Sequence, residues 1–294
     1  MSAPASAHGP VVVRLRGRYE DLGPALRRIA DVVLADPDAA GRLPIGSLAT
    51  AAGSSEATVV RLAHELGYAG YREFRQRLSE ESAAAREREG ASEHVGDIDP
   101  ADDLTAVIGK IAAAEVRAVQ DTAAAIDLDV LAHVASAIHA ARRIALVGVG
   151  ASGLAAADLQ QKLARVGIMA TLHTDRHDAL PTATLLTGED VVIGVSHTGR
   201  TADIVDALRL ARAGGARTVA ITNAPGSTLA READHVLVTA AQESPLRSGA
   251  TASRIAQLTL VDCVFLAVAR ELPDFGAAAL DRTRASLQDR RLPG

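Results

Sequence analysis

Residues 190–201, Asp190-Val191-Val192-Ile193-Gly194-Val195-Ser196-His197-Thr198-Gly199-Arg200-Thr201, change character abruptly at their midpoint. The first half is almost unbroken apolar; the second is hydroxyls, glycine and arginine. An apolar run without alternation, closed by polar residues, fits a strand buried on both faces, as in a parallel sheet. Beyond Thr201 the apolar positions Ile204, Val205, Leu208, Leu210 and Ala211 recur at helical spacing. The strand's carboxyl end therefore passes three hydroxyls (Ser196, Thr198, Thr201) to the start of a helix. Free backbone N–H groups and the helix dipole favour an anion there, and Gly199 lets the backbone approach it closely. A single hydroxyl would serve as a helix cap. Three around one glycine exceed what a cap needs.

The chain has 294 residues, enough for two domains. It has no Trp and only 2% aromatic residues, so the core must be built from Ala, Val, Leu and Ile. One cysteine, Cys263, excludes an internal disulfide and a thiolate metal cluster. It is expected as a small buried hydrophobe in the apolar run 258–269. That run is interrupted by Asp262 and is too short to span a bilayer. The first ten residues are rich in Ala, Pro and Ser and lack a signal-peptide pattern. They are expected to form a disordered lead on a cytoplasmic protein with no membrane partner. A formal charge of −5 excludes a chain that is basic throughout but leaves room for one basic face.

Between residues 19 and 80 the periodicity is helical. Leu22, Leu26, Ile29, Ala30, Val33 and Leu34 make one stripe, with Pro24 in the first turn and Pro37 after the end. A short helix follows Pro44, carrying Ile45, Leu48, Ala49 and Ala52. Gly53 breaks it, Ser54 or Ser55 caps the next, and Val59, Leu62, Ala63 and Leu66 form the buried stripe of that third helix. Two short helices joined at a glycine, with small Ala49 where they cross, make a helix-turn-helix pattern. In such a motif the early residues of the second helix meet base edges; here these are Ser54, Ser55, Glu56, Thr58 and Arg61, with His64 further along. Arg61 lies opposite the apolar stripe, where it can reach guanine or phosphate. Residues 11–80 hold ten Arg and nine Asp or Glu, so the electrostatic case for DNA is weak. A local basic rim from Arg14, Arg16 and Arg18 to Arg72, Arg75 and Arg77 is the expected compensation. A plain three-helix packing module, or one that docks on a protein, would share this pattern.

The run Ile45-Gly46-Ser47-Leu48-Ala49, then Gly53-Ser54-Ser55-Glu56-Ala57-Thr58-Val59-Val60-Arg61-Leu62, resembles the N-terminal domain of RpiR-type transcriptional regulators. Leu66-Gly67-Tyr68-Ala69-Gly70-Tyr71-Arg72-Glu73-Phe74 continues the resemblance. Leu62 stands where that family commonly has Phe, a conservative change at a packing position.

Residues 81–100, rich in Ala, Glu, Arg, Gly and Asp, read as an exposed helix tail and a linker near 90–100. Leu104, Val107, Ile108, Ile111, Val116 and Val119 restart a helical stripe, and Leu131, Val134, Ala135 and Ile138 mark another helix. These helices either cover a sheet or pair with another subunit. Arg143 to Gly150 is the first buried strand, and strands follow at 168–173, 190–195, 216–222 and 235–239, with helices between them and a long one at 253–272. Alternation of this kind implies a parallel sheet covered on both faces, with ligands beyond the strands' carboxyl ends. Two glycine and hydroxyl loops, Gly150-Ala151-Ser152-Gly153 and Ser196–Thr201, fall at such ends. Gly148, Gly150 and Gly153 also satisfy G-x-G-x-x-G. A dinucleotide site, however, gives no reason for the second hydroxyl loop, and one compact phosphate suits both. His173 and His177, expected in a loop, lack a third ligand, so no metal is expected. No other cofactor is indicated. The last residues, 282–294, are expected to be a frayed tail.

Gly148-Val149-Gly150-Ala151-Ser152, Ser196–Thr201, Ile221-Thr222-Asn223, Ser227-Thr228-Leu229-Ala230 and Ala233-Asp234 resemble a SIS domain, the sugar isomerase fold that binds phosphosugars. Glu243 and Ser253-Arg254-Ile255-Ala256-Gln257-Leu258 extend the likeness in the form seen in RpiR-type regulators. The resemblance implies that Ser152, Ser196, Thr198 and Thr201, with Gly150, His197 and Gly199, hold a sugar phosphate, and that Glu243 lies near the sugar end. Thr198 replaces the more usual Ser, which adds a methyl to the pocket.

The expected fold class is α/β: an N-terminal all-α helix-turn-helix domain, then a SIS-type αβα sandwich with a five-stranded parallel sheet. The expected divisions are a disordered lead at 1–11, the helix-turn-helix domain at 12–80, a linker at 81–101 and the SIS domain with flanking helices at 102–294. The expected function is a DNA-binding regulator, a homodimer or homotetramer on a double-stranded operator, whose affinity a sugar phosphate modulates. The rival is a phosphosugar isomerase or lyase with a helical appendage, using Glu243 as base and His173, His177 or His197 in assistance.

Overall fold

Five apolar stretches pair as the strands of one parallel sheet: β1 (Ile144–Gly148), β2 (Ala170–His173), β3 (Val191–Val195), β4 (Arg217–Thr222) and β5 (His235–Val238), in the spatial order β2-β1-β3-β4-β5. The computed structural model describes residues 10–89, 97–243 and 251–288. The expected lead up to residue 9, the linker at 90–96 and the tail from 289 lie outside the described residues. Before the sheet come α1 (Val11–Arg18), α2 (Pro24–Ala35), α3 (Pro37–Arg42), α4 (Ile45–Ala51), α5 (Glu56–Glu65), α6 (Tyr71–Glu89), α7 (Leu104–Ala125) and α8 (Leu128–Ala140). Between and after the strands come α9 (Gly150–Arg165), α10 (Arg176–Thr184), α11 (Ala202–Ala213), α12 (Thr228–Arg231), α13 (Ala252–Glu271) and α14 (Ala277–Gln288).

The chain divides into two compact units. The first comprises residues 1–125, 224–227 and 240–252; the second comprises 126–223, 228–239 and 253–294.

In the second unit, alternate residues of each strand serve opposite faces of the sheet. Ile144, Leu146, Ile193, Val195, Val219 and Ile221 pack with Val134 and Ile138 of α8, Leu159 and Leu163 of α9, and Leu260, Val264 and Val268 of α13. Ala145, Val147, Val192 and Ala220 pack with α10, α11 and Leu229 on the other face. Both faces are dry, which is why the strands read as unbroken apolar runs. Gly194 is needed on the second face: a Cβ there would stand 2.6 Å from Leu208 and 2.8 Å from Ile204. Its absence lets α11 sit close on β3.

At the amino end of β3, Asp190 is fully buried. Its carboxylate accepts from Arg143 at 2.6 Å, Arg142 at 3.1 Å and the Thr187 N–H at 2.8 Å. The Arg143 bond, then those of Arg142 and Thr187, hold its carboxyl well below the usual carboxylate range against the opposing cost of burial.

The first unit is organised round Leu15, Ile29, Leu48, Leu62, Leu66, Phe74 and Leu78. Two short helices were not expected from the sequence. The first, α1, begins at residue 11, inside the expected lead, and buries Val11 and Leu15 one turn apart. The second, α3, starts at Pro37, which occupies the first helical position after an Asp36 cap rather than only terminating α2; the Asp36 carboxylate accepts from the Ala39 N–H at 2.9 Å.

The stripe of α7, left open between covering a sheet and pairing with another subunit, is turned outward: Leu104, Ile108, Val116 and Val119 are exposed, while Ala114, Ala118, Thr122 and Ala125 are buried. Further expectations are corrected. His177 lies in the first turn of α10 rather than in a loop, because the Asp175 carboxylate accepts from the His177 and Asp178 N–H groups. Residues 282–288 are helical, not frayed, as part of α14. At 20 residues α13 is long and apolar enough to cross a membrane, so the shorter run understated it; Ala256, Leu260, Val261, Val264 and Val268 are instead buried in the protein. Cys263 is only half-buried, and burial raises its thiol pKa.

Glu81 of α6 closes the start of α1, with both carboxylate oxygens 2.7 Å from the Val11 N–H. Burial pushes its carboxyl up to about 7, against the Val11 and Val12 N–H groups, Arg14 and Arg77. A carboxyl with a raised folded pKa binds its proton more tightly in the native state. Thermal stability of the first unit is therefore expected to fall as pH rises from about 4.5 to about 7, and Glu81→Gln is expected to flatten that slope in a melting series. Asp190 has the opposite sign. Its contribution is complete above about pH 4 and is lost as pH falls below it. Asp190→Asn should cost about 2 kcal/mol in urea denaturation at pH 7, with the difference shrinking on acidification.

Candidate functional site

The strand order places two loops side by side. From β1 the chain crosses through α9 to β2 on one flank, and β3 returns to the other flank of β1. Gly148, the last residue of β1, is in register with Val195, the last of β3. The loops that follow these strands open at this switch point, where parallel sheets bind ligands.

The loop after β3 is built on its own hydroxyls. The buried Ser196 Oγ lies 3.1 Å from Thr201 Oγ1 and accepts from the Gly199 N–H at 3.1 Å. Thr198 Oγ1 accepts from the Arg200 N–H at 3.3 Å. Gly199 has φ 62°, a conformation that costs other residues energy. The His197 carbonyl accepts from Thr222 Oγ1 at 3.2 Å and the Asn223 N–H at 3.0 Å, and the Gly199 carbonyl from the Leu229 N–H at 3.0 Å. The end of β4, Asn223 after it and α12 thus hold the loop. Thr201 stands at the N-cap position of α11 but makes no side-chain capping bond. Its hydroxyl faces Ser196 instead, so a plain cap does not account for it.

The loop after β1 turns directly into α9 at Gly150, with φ 59° and no side-chain cap. A Cβ on Gly148 would meet the Ser152 carbonyl at 2.9 Å, and one on Gly153 the Gly148 carbonyl at 2.8 Å. Close packing of strand on helix thus explains these two glycines without a dinucleotide. Ser152 Oγ accepts from Gln257 Nε2 at 3.0 Å, and Gln257 is only 1% exposed. The sequence assigned no role to Gln257, although a lone amide within the apolar α13 was the available signal. His173, at the end of β2, has its pKa lowered, chiefly by burial, and contacts Thr171 Oγ1. Among the described residues no cluster of three His, Cys, Asp or Glu could hold a metal. Glu243 falls in the first unit.

The helix-turn-helix expectation fits α4, the turn at 52–55 and α5. Ala49 is buried, Gly53 has φ 54°, and Ser55 caps α5 by accepting from the Thr58 N–H at 3.3 Å. Arg28 of α2 clamps the turn through the Ala52 and Gly53 carbonyls. Ser55, Glu56, Arg61 and His64 are exposed, with Ser54 and Thr58 half-buried. Among the described residues Arg61 makes no hydrogen bond or ion pair, so its guanidinium remains available. His64 contacts the Ala69 carbonyl at 3.1 Å and Thr58 Oγ1 the Ser55 hydroxyl at 2.8 Å. The expected basic rim is smaller than it looked. Arg14 stacks on the Tyr68 ring at 4.4 Å, Arg18 donates to the Glu65 carbonyl, and burial lowers the pKa of Arg16.

The helix-turn-helix domain of the rpiR family matches residues 10–85, and the SIS domain matches residues 137–267. The chain belongs to the RpiR family of transcriptional regulators. An uncharacterised HTH-type transcriptional regulator of Haemophilus influenzae is 31% identical over 97% of this chain and 98% of its own. The HTH-type transcriptional regulator RpiR of Escherichia coli K12 is 32% identical over 87% of this chain and 85% of its own. Vibrio vulnificus NanR, solved in complex with ManNAc-6P, is 30% identical, with a TM-score of 0.61 over 96% of this chain and 100% of that one. RpiR-family membership makes this chain a regulator rather than an enzyme, and the N-terminal helices a DNA-binding module. Arg61→Ala in this RpiR-family protein is expected to weaken specific operator binding by roughly 1–3 kcal/mol, measured by fluorescence anisotropy, with the melting temperature unchanged.

Proposed function

We propose that the second unit holds a sugar phosphate by its phosphate group, between the loops after β1 and β3, and that occupancy changes operator affinity. Ser196, Thr198 and Thr201 supply hydroxyl donors, the first turn of α11 supplies backbone N–H groups, Gly199 lets the backbone approach closely, and Ser152 and Gly150 line the opposite loop. His197 stays with the loop as a backbone anchor, and Glu243 is assigned to the sugar hydroxyls on the family resemblance alone. The observation that carries this reading is the uncapped N-terminus of the 12-residue α11, with the Ser196–Thr201 hydroxyl pair beside it. A dianion there gains charge-assisted hydrogen bonds and about 0.3–1 kcal/mol or more from the helix dipole. The complex of similar NanR with ManNAc-6P supports a phosphosugar as the ligand class.

On the DNA side the reading assigns base and phosphate contacts to Ser54, Ser55, Glu56, Thr58 and Arg61, with His64 at the margin. The working form is a cytoplasmic homodimer or homotetramer on a symmetric operator, since half-sites one helical turn apart need paired recognition helices. Its functional domains are the helix-turn-helix at 12–80 and the SIS domain with flanking helices at 102–294, joined by 81–101. The ligand acts only through a difference in its affinity for the DNA-competent and DNA-incompetent arrangements.

The test is operator binding, with DNA upstream of the protein's own gene, across a panel of hexose and amino-sugar phosphates. One sugar phosphate is expected to shift the complex, and Ser196→Ala to abolish the shift while leaving ligand-free DNA affinity within about twofold. Equal loss of both in Ser196→Ala, or no response to any phosphosugar, would overturn the reading.

A further inference from the structure

The hydroxyl loops occupy the carboxyl ends of the strands. At the opposite, amino edge of the same sheet lies a cavity of about 420 Å³ between the last turns of α8 and the starts of β3 and β4. Its volume falls within the range of small-molecule sites. One wall is apolar and thin: Ala137 and Ala140 of α8 and the Ala141 that caps it, with Val191 also in the lining. Larger side chains at these three positions would fill the space.

The other wall is rich in unused donors. Arg217, the first residue of β4, is exposed; its backbone N–H donates to the Asp190 carbonyl, but its guanidinium makes no hydrogen bond or ion pair among the described residues. Its charge reaches His235, whose pKa is lowered by burial, His133 and Arg217, with Asp234 opposing. Arg142 spends Nε and one terminal nitrogen on Asp190, Thr187 and Glu189. Its other terminal nitrogen donates to nothing among the described residues. The backbone N–H groups of Gly188 and Glu189 likewise have no acceptor among them.

The nearby carboxylates do not cancel this surplus. Asp190 is buried and shared between Arg142 and Arg143. Glu189 has a 76% exposed side chain and a single 3.4 Å contact with Arg142, so it can turn into solvent at little cost. Three guanidinium groups face two carboxylates, which leaves one net positive charge at a rim of unused donors.

We propose that this cavity is a second anion site, taking a small organic oxyanion whose carboxylate or phosphate lies against Arg217 and Arg142 and whose short apolar body lies on the three alanines at the end of α8. Paired guanidinium forks suit planar, bidentate oxyanions. The site is made entirely by the second unit and shares no residue with the hydroxyl loops. It stands whether or not those loops hold a phosphosugar.

The test is calorimetric titration of the full chain with citrate and, separately, with inorganic phosphate at constant ionic strength. Citrate is expected to bind the wild type saturably below about 10 mM, and the phosphate titration distinguishes a bare phosphate from a carboxylate as the preferred group. Arg217→Glu is expected to weaken the event at least tenfold, and Ala140→Leu to do the same by filling the cavity without changing charge. Both positions are exposed, so both variants are expected to melt as the wild type does. Ser196→Ala is expected to leave this event intact. Three outcomes would overturn the proposal: no saturable binding of either probe, unchanged binding in both Arg217→Glu and Ala140→Leu, or loss of all binding in Ser196→Ala.

Discussion

The parallel pairing of β1 with β3 constrains more of the second unit than any other contact. Because β2 and β3 flank β1, the crossovers through α9 and α10 must diverge, and the loops after β1 and β3 are left facing the same opening. Tight packing maintains that pairing. Gly194 admits α11 onto β3, while Gly148 and Gly153 admit α9 onto β1. A methyl group at any of these positions would push a helix outward and separate the donors that the two loops bring together. The shape of the opening thus depends on three residues that carry no side chain.

Electrostatic work is divided between the edges of this sheet. At the amino edge Asp190 ties Arg142, Arg143 and the turn at Thr187 to the start of β3. At the carboxyl edge the loops after β3 and β4 are held differently: Ser196, Thr198, Thr222 and Thr239 make neutral hydroxyl bonds. A carboxylate in place of Ser196 would repel an incoming anion and compete with it for the positive end of the α11 dipole; the acidic side chain in the first turn of α11, Asp203, pairs with Arg176. Neutral hydroxyls stabilise the loop without that penalty.

Much of this was legible because the relevant residues obey strong local rules. Unbroken runs such as Val191–Val195 announce strands buried on both faces, and Gly53-Ser54-Ser55 announces a turn followed by a cap. Four features were harder to read, each for a physical reason. Val11 and Leu15 lie among arginines, so the short apolar stripe of α1 is masked by charge that is later absorbed by Tyr68, Glu65 and burial. Asp36-Pro37 both ends one helix and starts another, and only the first role shows in hydrophobic periodicity. The stripe Leu104, Ile108, Val116 and Val119 left open whether α7 covers a sheet or pairs with another subunit, and it is Ala114, Ala118 and Thr122 that pack inside. Periodicity finds a face without saying what covers it. Gln257 was the hardest, because its partner Ser152 lies 105 residues away.

The composition of the first unit has a consequence for how the chain is made. Its helical core is dominated by residues close in sequence, a kind of contact that forms quickly. Yet the unit also includes residues 224–227 and 240–252, and the buried Thr122 hydroxyl accepts from the Ala240 N–H at 3.0 Å. A nascent chain can therefore assemble α1 to α6 early, but the unit is not complete until the ribosome has passed residue 252. A fragment cut after Ala125 would leave the Thr122 hydroxyl without its acceptor role and the small side chains along α7 uncovered. The DNA-binding half is thus an N-terminal module in sequence position but a late one in assembly, finished only when most of the second unit has emerged.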